Sequence, residues 1–518
     1  MDDGALARGQ EQARAHRLVV AGLSRLLSVS ISFKVSRSSS TTEAVGVVVA
    51  SDGPVPSEVG LNRKQLSARG FDAKVGQTMV LHGLRGSRIV VAVGIGDPRK
   101  FGPTEARNTA AALARAVRSS ASVSTGLADA GTGNRAQIAQ AVVEGFRLAT
   151  HRYTDLKNDK SSASKIESVV LTASSKSAAA VRSGVARGTT VADAVCMARD
   201  FANMPPAYLT ARMMADRAVD IAAATGLQVT VYDKDQLSNM GCGGILGVNK
   251  GSTEPPRMVK LVYTPKSGAK TIKGRKGHVV LVGKGVMYDS GGISLKPSDP
   301  SHAVMKMDMS GAAAVLATMS TLAALNCKVQ VTAYLMCTDN MPSGSALKLG
   351  DVLTMRNGKT VEIHNTDAEG RLILADGLSL AAEAKPHAII DIATLTGACI
   401  VALGEKVAGV LGNNDALVEQ LRKASSRVDE PIWPLPLVKD YRRLLDSTVA
   451  DMRNIGGPYG GSITAAVFLS EFVGDTPWAH LDIAGPMKVD GDDGWMQKGA
   501  TAFGTRLLID TVCNFTAL

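Results

Sequence analysis

The sequence predicts an α/β protein: a small N-terminal α/β domain followed by a larger C-terminal α/β/α domain with a central mixed sheet. Three observations lead there. The 518 residues are 45% hydrophobic and 20% charged, which supplies large cores and excludes a mainly disordered chain. Short apolar runs alternate with helix-forming stretches along most of the length. A break at Pro205-Pro206, through which no helix continues, separates two such alternating regions.

In the first region, strands are expected over 44–50, 88–96 and 166–172, and alanine-rich helices over 103–118 and 134–149. A connecting helix is expected over 185–202. Beyond Thr210, strands are expected over 257–263, 278–283, 329–337, 360–365, 388–393 and 478–483, with helices over 312–326, 371–385, 416–428 and 462–472. Such alternation implies one large mixed or parallel sheet with helices on both faces. The expected organisation is an N-terminal extension over 1–40, an α/β domain over 41–184, a connecting helix and linker over 185–209, and a catalytic domain over 210–518.

The chain carries 58 Lys+Arg and 47 Asp+Glu, a formal net charge of +11. Residues 1–190 hold 26 and 14 of these (26 − 14 = +12), leaving 32 and 33 (−1) for 191–518. A basic N-terminal third allows an anionic partner such as nucleic acid or lipid. The six cysteines form no C-x-x-C pair, which argues against a disulfide framework or a Cys₄ zinc site and fits a cytoplasmic setting. No uncharged apolar run approaches the ~20 residues that span a bilayer, so no membrane partner is expected. Arg8, Arg14, Arg17, Arg25 and the serines of 36–40 resemble an organellar transit peptide, whereas Asp2, Asp3 and Glu11 oppose one.

Several motifs fail. Gly283-Lys284-Gly285 follows a strand, but a Walker loop needs glycine where His278 stands and Ser or Thr where Gly285 stands. Arg99 occupies the third-glycine position of a dinucleotide fingerprint beginning at Gly94. No G-x-S-x-G and no H-E-x-x-H occurs. His302, His364 and His480 lack a partner at i+3 or i+4 and read as packed or solvated histidines. Met305, Met307 and Met309 read by default as core filler.

What remains is a set of acids and amines at strand ends. One expected strand runs into Lys284, Asp289 and Lys296; Asp308 precedes a helix; another strand runs into Asp367, Glu369 and Arg371. Ligands of open α/β sheets bind outside the carboxyl ends of strands, so these segments can share one crevice. Four carboxylates there repel unless divalent cations join them, and a site without Cys or His suits Mg²⁺, Mn²⁺ or Zn²⁺. Two ions ~3.5–4 Å apart would account for the number of acids and would supply a hydroxide near neutral pH. Lys296 or Arg371 could stabilise an oxyanion or hold an anion that accepts the proton, while a metal-bound Lys284 must be a neutral amine with a depressed pKa. The competing reading is ordinary polar loops at strand ends.

The wording of the segments weighs against that competitor. V-G-K-G-V-M-Y-D-S-G-G-I-S-L-K-P-S (282–298) and N-T-D-A-E-G-R-L (365–372) resemble the signature blocks of the leucine aminopeptidase family of two-metal hexameric exopeptidases. Further matches are Asn203-Met204-Pro205-Pro206, Met305-Lys306-Met307-Asp308, Ala393-Thr394-Leu395-Thr396-Gly397, N-I-G-G (454–457), G-G-S-I-T-A-A (460–466) and W-A-H-L-D-I-A-G (478–485). The resemblance implies that Lys284, Asp289, Asp308 and Glu369 hold the more exchangeable ion and Asp289, Asp367 and Glu369 the tighter one. It implies that Lys296 polarises the scissile carbonyl and that Arg371 anchors a bicarbonate general base. It also implies a shallow apolar pocket for the first side chain at Met305, Thr394, Leu395, Gly397, Ala484 and Met487. An extra residue between Lys296 and Asp308, and Ser310 where relatives often have glycine or cysteine, leave every ligand in place.

The expected protein is therefore a cytoplasmic metalloaminopeptidase, a homohexamer carrying two divalent ions per subunit (Zn²⁺ or Mn²⁺, with Co²⁺ and Mg²⁺ as other candidates). It would release Leu and other apolar N-terminal residues from peptides by attack of a metal-bridging hydroxide. The alternative is a nucleic-acid-binding protein acting through the basic N-terminal domain, with aminopeptidase as a secondary activity. Residues 1–190 offer no Trp and few aromatic platforms, which disfavours single-strand binding. A metal-free pseudoenzyme conflicts with the complete ligand set.

Overall fold

Each strand of the N-terminal region alternates or runs apolar for four to six residues, and together they close one six-stranded sheet. The computed structural model describes residues 31–38, 42–81, 88–161 and 163–518. Most of the expected extension over 1–40, including the transit-peptide features, lies outside these residues. Within it, however, β1 (Ser32–Ser36) is a strand, because Phe33 and Val35 alternate with polar neighbours just ahead of the serine-rich stretch 36–40. The other strands are β2 (Ala44–Val49), β3 (Thr78–Leu81), β4 (Ile89–Gly94), β5 (Ser122–Thr125) and β6 (Ser168–Thr172). Their order is β1-β6-β5-β2-β4-β3, parallel except for β3. Helices Pro103–Ala116 and Arg135–Thr150 cover the sheet, with Leu113, Ile138, Val142 and Phe146 in its core.

The chain divides into two compact units, 1–197 with 491–497, and 198–490 with 498–518. The division falls inside the helix Ala178–Asn203, ahead of the Pro205-Pro206 break. That helix starts earlier than the expected residue 185. Gly184 and Gly188, which look like helix breakers, are instead close-approach sites: a Cβ on Gly184 would sit 2.1 Å from the Ala136 carbonyl oxygen.

The second unit contains β7 (Gln228–Tyr232), β8 (Arg257–Tyr263), the hairpin of β9 (Thr271–Ile272) and β10 (Arg275–Lys276), β11 (His278–Asp289), β12 (Gln330–Asn340), β13 (Val352–Thr354), β14 (Thr360–Glu362), β15 (Ala388–Ala393), β16 (Ala408–Gly412), β17 (Ile432–Pro434), β18 (Met452–Arg453), β19 (Trp478–Asp482) and the short pair β20 (Lys488–Val489) and β21 (Gly499–Ala500). Eight of these form a mixed sheet, β17-β16-β19-β15-β11-β12-β8-β7. Its centre, β19-β15-β11-β12, is parallel and buried on both faces; β8 and β16 pair antiparallel with its two edges, and β7 antiparallel with β8.

Two strand expectations change. The strand expected over 278–283 continues to Asp289, because Gly283 is a contact point and not a terminus: its missing side chain lets helix Ser310–Thr321 approach, and a Cβ would lie 2.7 Å from the Ala312 Cα. The segment expected as a strand over 360–365 is only β14, and it belongs to a separate three-stranded sheet, β13-β14-β18. Strands β7, β16 and β17, absent from those expectations, are only five, five and three residues long. Among the described residues no helix is long and apolar enough to cross a membrane.

Candidate metal centre

The parallel centre of the large sheet brings β11 to the site. Its side chains are buried on both faces, and its register against β12 shifts between Val286 and Asp289, which bends the strand end and aims Asp289. Helix Ser310–Thr321 begins just beyond Asp308, and helix Gly370–Glu383 begins just beyond Glu369, so each acid stands at the mouth of a helix that packs on the sheet. The second segment arrives from the small sheet through β14 and not from a strand of the large one.

All six carboxylate and lysine candidates converge. Lys284, buried in β11, places its Nζ 2.8 Å from Asp308 Oδ1 and 2.8 Å from Glu369 Oε1, and donates to the Thr394 carbonyl at 2.8 Å. Lys296 Nζ bridges Asp289 Oδ2 at 2.8 Å and Asp367 Oδ1 at 2.5 Å. One carboxylate oxygen from each of Asp289, Asp367 and Glu369 lies within 4.8 Å of the others. Gly370 is required by this packing, since a Cβ there would lie 2.6 Å from Lys284 Cε. Arg371, also buried, donates Nη1 to the Asn454 carbonyl at 2.9 Å.

Supporting residues that sequence reasoning missed hold these groups. Asn340, at the end of β12, donates Nδ2 to Asp289 Oδ1 at 2.9 Å and to the Thr366 carbonyl at 3.0 Å. The Gly291 N–H donates to the same Asp289 oxygen at 2.9 Å. Thr366 Oγ1 donates to the Gly291 carbonyl at 2.7 Å and accepts from the Ser294 N–H at 2.8 Å, fastening the Lys296 loop to the Asp367 loop. Asn454 accepts the His364 N–H at 2.9 Å and donates to the Asn365 carbonyl at 2.6 Å. The available signal was position: Asn340 ends the strand next to β11. The histidines are engaged elsewhere: His302 with Tyr288 Oη and the Lys296 carbonyl, each at 3.1 Å, His364 with Glu362, and His480 with Asp391.

Of the pocket candidates, Thr394 donates Oγ1 to Asp308 Oδ1 at 2.6 Å, so it touches the acid cluster. Leu395 and Ala484 share a hydrogen-bond acceptor, Asp482. Met305 is half-buried in the turn Met305–Met307 before Asp308, Gly397 is exposed at the start of helix Gly397–Leu403, and Met487 is buried just before β20. Met307 and Met309 are core residues.

The electrostatics are those of crowded acids. Burial, then the neighbouring Asp289, pushes the Glu369 carboxyl up to about 8; burial raises Asp308 to about 7 against the opposing effect of Lys284. Burial and Asp289 also raise Asp367. Burial alone would lower the Lys284 amine, but Asp308, Glu369 and Asp289 outweigh it and hold the amine above its ordinary value; Lys296 is raised in the same way by Asp289 and Asp367. The depressed Lys284 pKa expected of a ligand therefore does not arise from the protein groups alone. Burial pulls Arg371 down to about 10.

The residues fit divalent cations. Asp308 Oδ2 and Glu369 Oε2 are buried with no hydrogen-bond partner, which is costly for carboxylate oxygens unless something else occupies them. Fully ionised, the four acids against Lys284 and Lys296 would stand at −4 + 2 = −2, an excess that the raised carboxyls of Asp308 and Glu369 relieve by keeping protons until cations bind. The donor set is oxygen with one amine, suited to hard or borderline ions.

Buried carboxylates at the strand ends of a mixed sheet, orphaned unless cations bind, define a metal-dependent enzyme of the α/β class. Comparison with known proteins makes the class specific. The profile of the Cytosol aminopeptidase family, catalytic domain, matches residues 196–509, and that of its N-terminal domain matches 59–160. A probable cytosol aminopeptidase from Chloroherpeton thalassium is 44% identical over 448 residues, covering 82% of this chain and 86% of that protein. One from Chlorobium limicola is 42% identical over 464 residues, covering 85% and 90%. The solved structure of the bottromycin maturation enzyme BotP in complex with Mn superposes with a TM-score of 0.83 at 37% identity, covering 91% of this chain and 99% of that one. The chain belongs to the cytosol aminopeptidase family. It is a metal-dependent aminopeptidase, a hydrolase whose substrates are peptides.

Proposed function

We propose that the protein is a two-metal leucyl aminopeptidase, releasing Leu and other apolar residues from unblocked peptide N-termini. The observation that carries the reading is the pair of buried, partnerless oxygens, Asp308 Oδ2 and Glu369 Oε2, inside a cluster of four acids and two amines. When bound, a pair of divalent ions polarises the peptide carbonyl and lowers the pKa of a water held between them, supplying a hydroxide for attack.

The chain's own residues would divide the work. Lys284, Asp308, Asp289 and Glu369 hold one ion; Asp289, Glu369 and Asp367 hold the other, so Asp289 and Glu369 are shared. Lys296, now paired with Asp289 and Asp367, turns its ammonium toward the scissile carbonyl and stabilises its developing charge. Arg371, whose Nε is buried without a partner, would hold a bicarbonate, which would supply a general base there. Met305, Thr394, Leu395, Gly397, Ala484 and Met487 receive the first side chain, and their apolar character supports the preference for Leu. Zn²⁺ or Mn²⁺ fits the oxygen-rich donor set, and the Mn complex of the BotP relative supports Mn²⁺. Exposed Val401, Trp433 and Tyr459 support burial against further subunits, in keeping with a homohexamer, and the relatives' names support a cytoplasmic location.

The test is hydrolysis of a leucyl amide reporter after chelation and after restoration with Zn²⁺, Mn²⁺, Co²⁺ or Mg²⁺. Activity should vanish on chelation and return with metal. Undiminished turnover in Asp367→Ala or Glu369→Ala protein would contradict the reading.

A further inference from the structure

Asp482 ends β19 in register with Ala393 of β15, fully buried, and neither the metal cluster nor the proposed chemistry uses it. Its side chain accepts four hydrogen bonds. Oδ1 takes the N–H groups of Leu395 at 3.2 Å, Thr396 at 3.4 Å and Ala484 at 3.2 Å; Oδ2 takes the Thr396 hydroxyl at 2.6 Å. Three of these donors belong to the turn after β15 and one to the turn after β19, so one carboxylate fastens two separate loops. The turn is braced again where the Thr396 and Ser462 hydroxyls meet at 2.8 Å and where Thr396 Oγ1 caps helix Gly397–Leu403 by accepting the Cys399 N–H at 3.1 Å.

The same turn begins at Thr394. Its carbonyl accepts the Lys284 ammonium at 2.8 Å and its hydroxyl donates to Asp308 at 2.6 Å. The loop that Asp482 holds is therefore one wall of the proposed first-side-chain pocket and also the neighbour of the acid cluster; Ala484 forms the facing wall. A buried carboxylate costs desolvation energy unless it is well hydrogen-bonded, and here its bonds are spent on fixing the spacing of two loops and not on an ion pair. An apolar residue would pack in its place but would leave the Leu395 and Ala484 N–H groups without that acceptor.

We infer that Asp482 is a positioning residue that sets the width of the substrate pocket by holding the 394–397 turn and Ala484 at a fixed separation, and thereby sets selectivity for the first side chain. This rests on the pocket assignment made above.

The experiment uses the full-length, metal-loaded protein and compares Asp482→Asn, Thr396→Val and Thr396→Ser with the unaltered chain. The readouts are kcat and KM on Leu and Ala amides, bound metal, and peptide-level hydrogen exchange. Asp482→Asn and Thr396→Val should lower the Leu:Ala ratio of kcat/KM about tenfold, within the range expected for a pocket that misfits a few methylene groups, with metal content unchanged. Thr396→Ser, which keeps the hydroxyl, should restore the ratio. Exchange should accelerate over 394–397 and at 484 while β11 stays protected. Unaltered selectivity with equal losses on both amides, or unaltered exchange in those two turns, would overturn the inference. Failure of the unaltered protein to cleave any amino-acid amide would instead defeat the leucyl aminopeptidase reading, and the exchange pattern would still decide the role of Asp482.

Discussion

Asn340 and Asp289 stand opposite each other in the register of β12 and β11, and the Asn340 amide donates to Asp289 Oδ1 at 2.9 Å while also donating to the Thr366 carbonyl of the Asp367 loop. One amide thus orients an acid proposed to bridge both ions and fixes the loop that carries a second. Partners of this kind typically contribute 10–100-fold to metal affinity, so Asn340→Ala should weaken metal binding by about that factor while the chain remains folded. Competition titration against a chromophoric chelator measures it.

Gly370→Ala should cost activity. Gly370 is the first residue of the helix Gly370–Glu383, and a Cβ there would press on Lys284, which three bonds pin in place. A misplacement of about 1 Å near the reacting groups costs up to about 100-fold in rate. Turnover should fall steeply, and Tm should not rise.

Metal binding should release protons and weaken in acid. Burial holds the Asp308 carboxyl at about 7 and the Glu369 carboxyl at about 8, and Lys284 keeps its proton while its acidic neighbours are free of metal. Ions must displace those protons, so affinity should drop as pH falls from about 8 through about 7. Calorimetry in buffers of different ionisation enthalpy counts the protons released.

The buried pair of His480 Nδ1 and Asp391 Oδ1, 2.6 Å apart, should make stability depend on pH. Burial alone would lower the histidine pKa, but Asp391 outweighs it and holds it above 6.5. A folded-state pKa raised above the unfolded one adds stability that is fully present below about 6.5 and is lost as pH rises through the raised value. Asp391→Asn should therefore cost about 3–5 kcal/mol below pH 6.5, and less in alkaline solution, by denaturant titration.

Much of this was legible in the sequence because the signals were local. β8 and β15 carry uninterrupted apolar or alternating runs bounded by turn residues, and their limits follow from that pattern. The acids and amines of the site announced themselves by clustering at strand and helix ends. Other features were hidden because the deciding contact is distant in sequence. The continuation of β11 past Gly283 depends on helix Ser310–Thr321 needing that gap, and the early start of helix Ala178–Asn203 depends on Gly184 meeting Ala136. Asn340 carries no signal of its own, and the matching segments that contain Asn454 and Asp482 do not tell what these residues hold, since the partners of the three lie 51, 89 and 87 positions away.

The central claim is that Lys284, Asp289, Asp308, Asp367 and Glu369 hold two ions, with Glu369 shared between them. Elemental analysis of metal-saturated protein after removal of loose ions, set beside Glu369→Gln protein of native circular dichroism, tests it most directly. Two divalent ions per unaltered chain and at most one in the variant are expected. A single ion per unaltered chain, or two retained by Glu369→Gln, would contradict it.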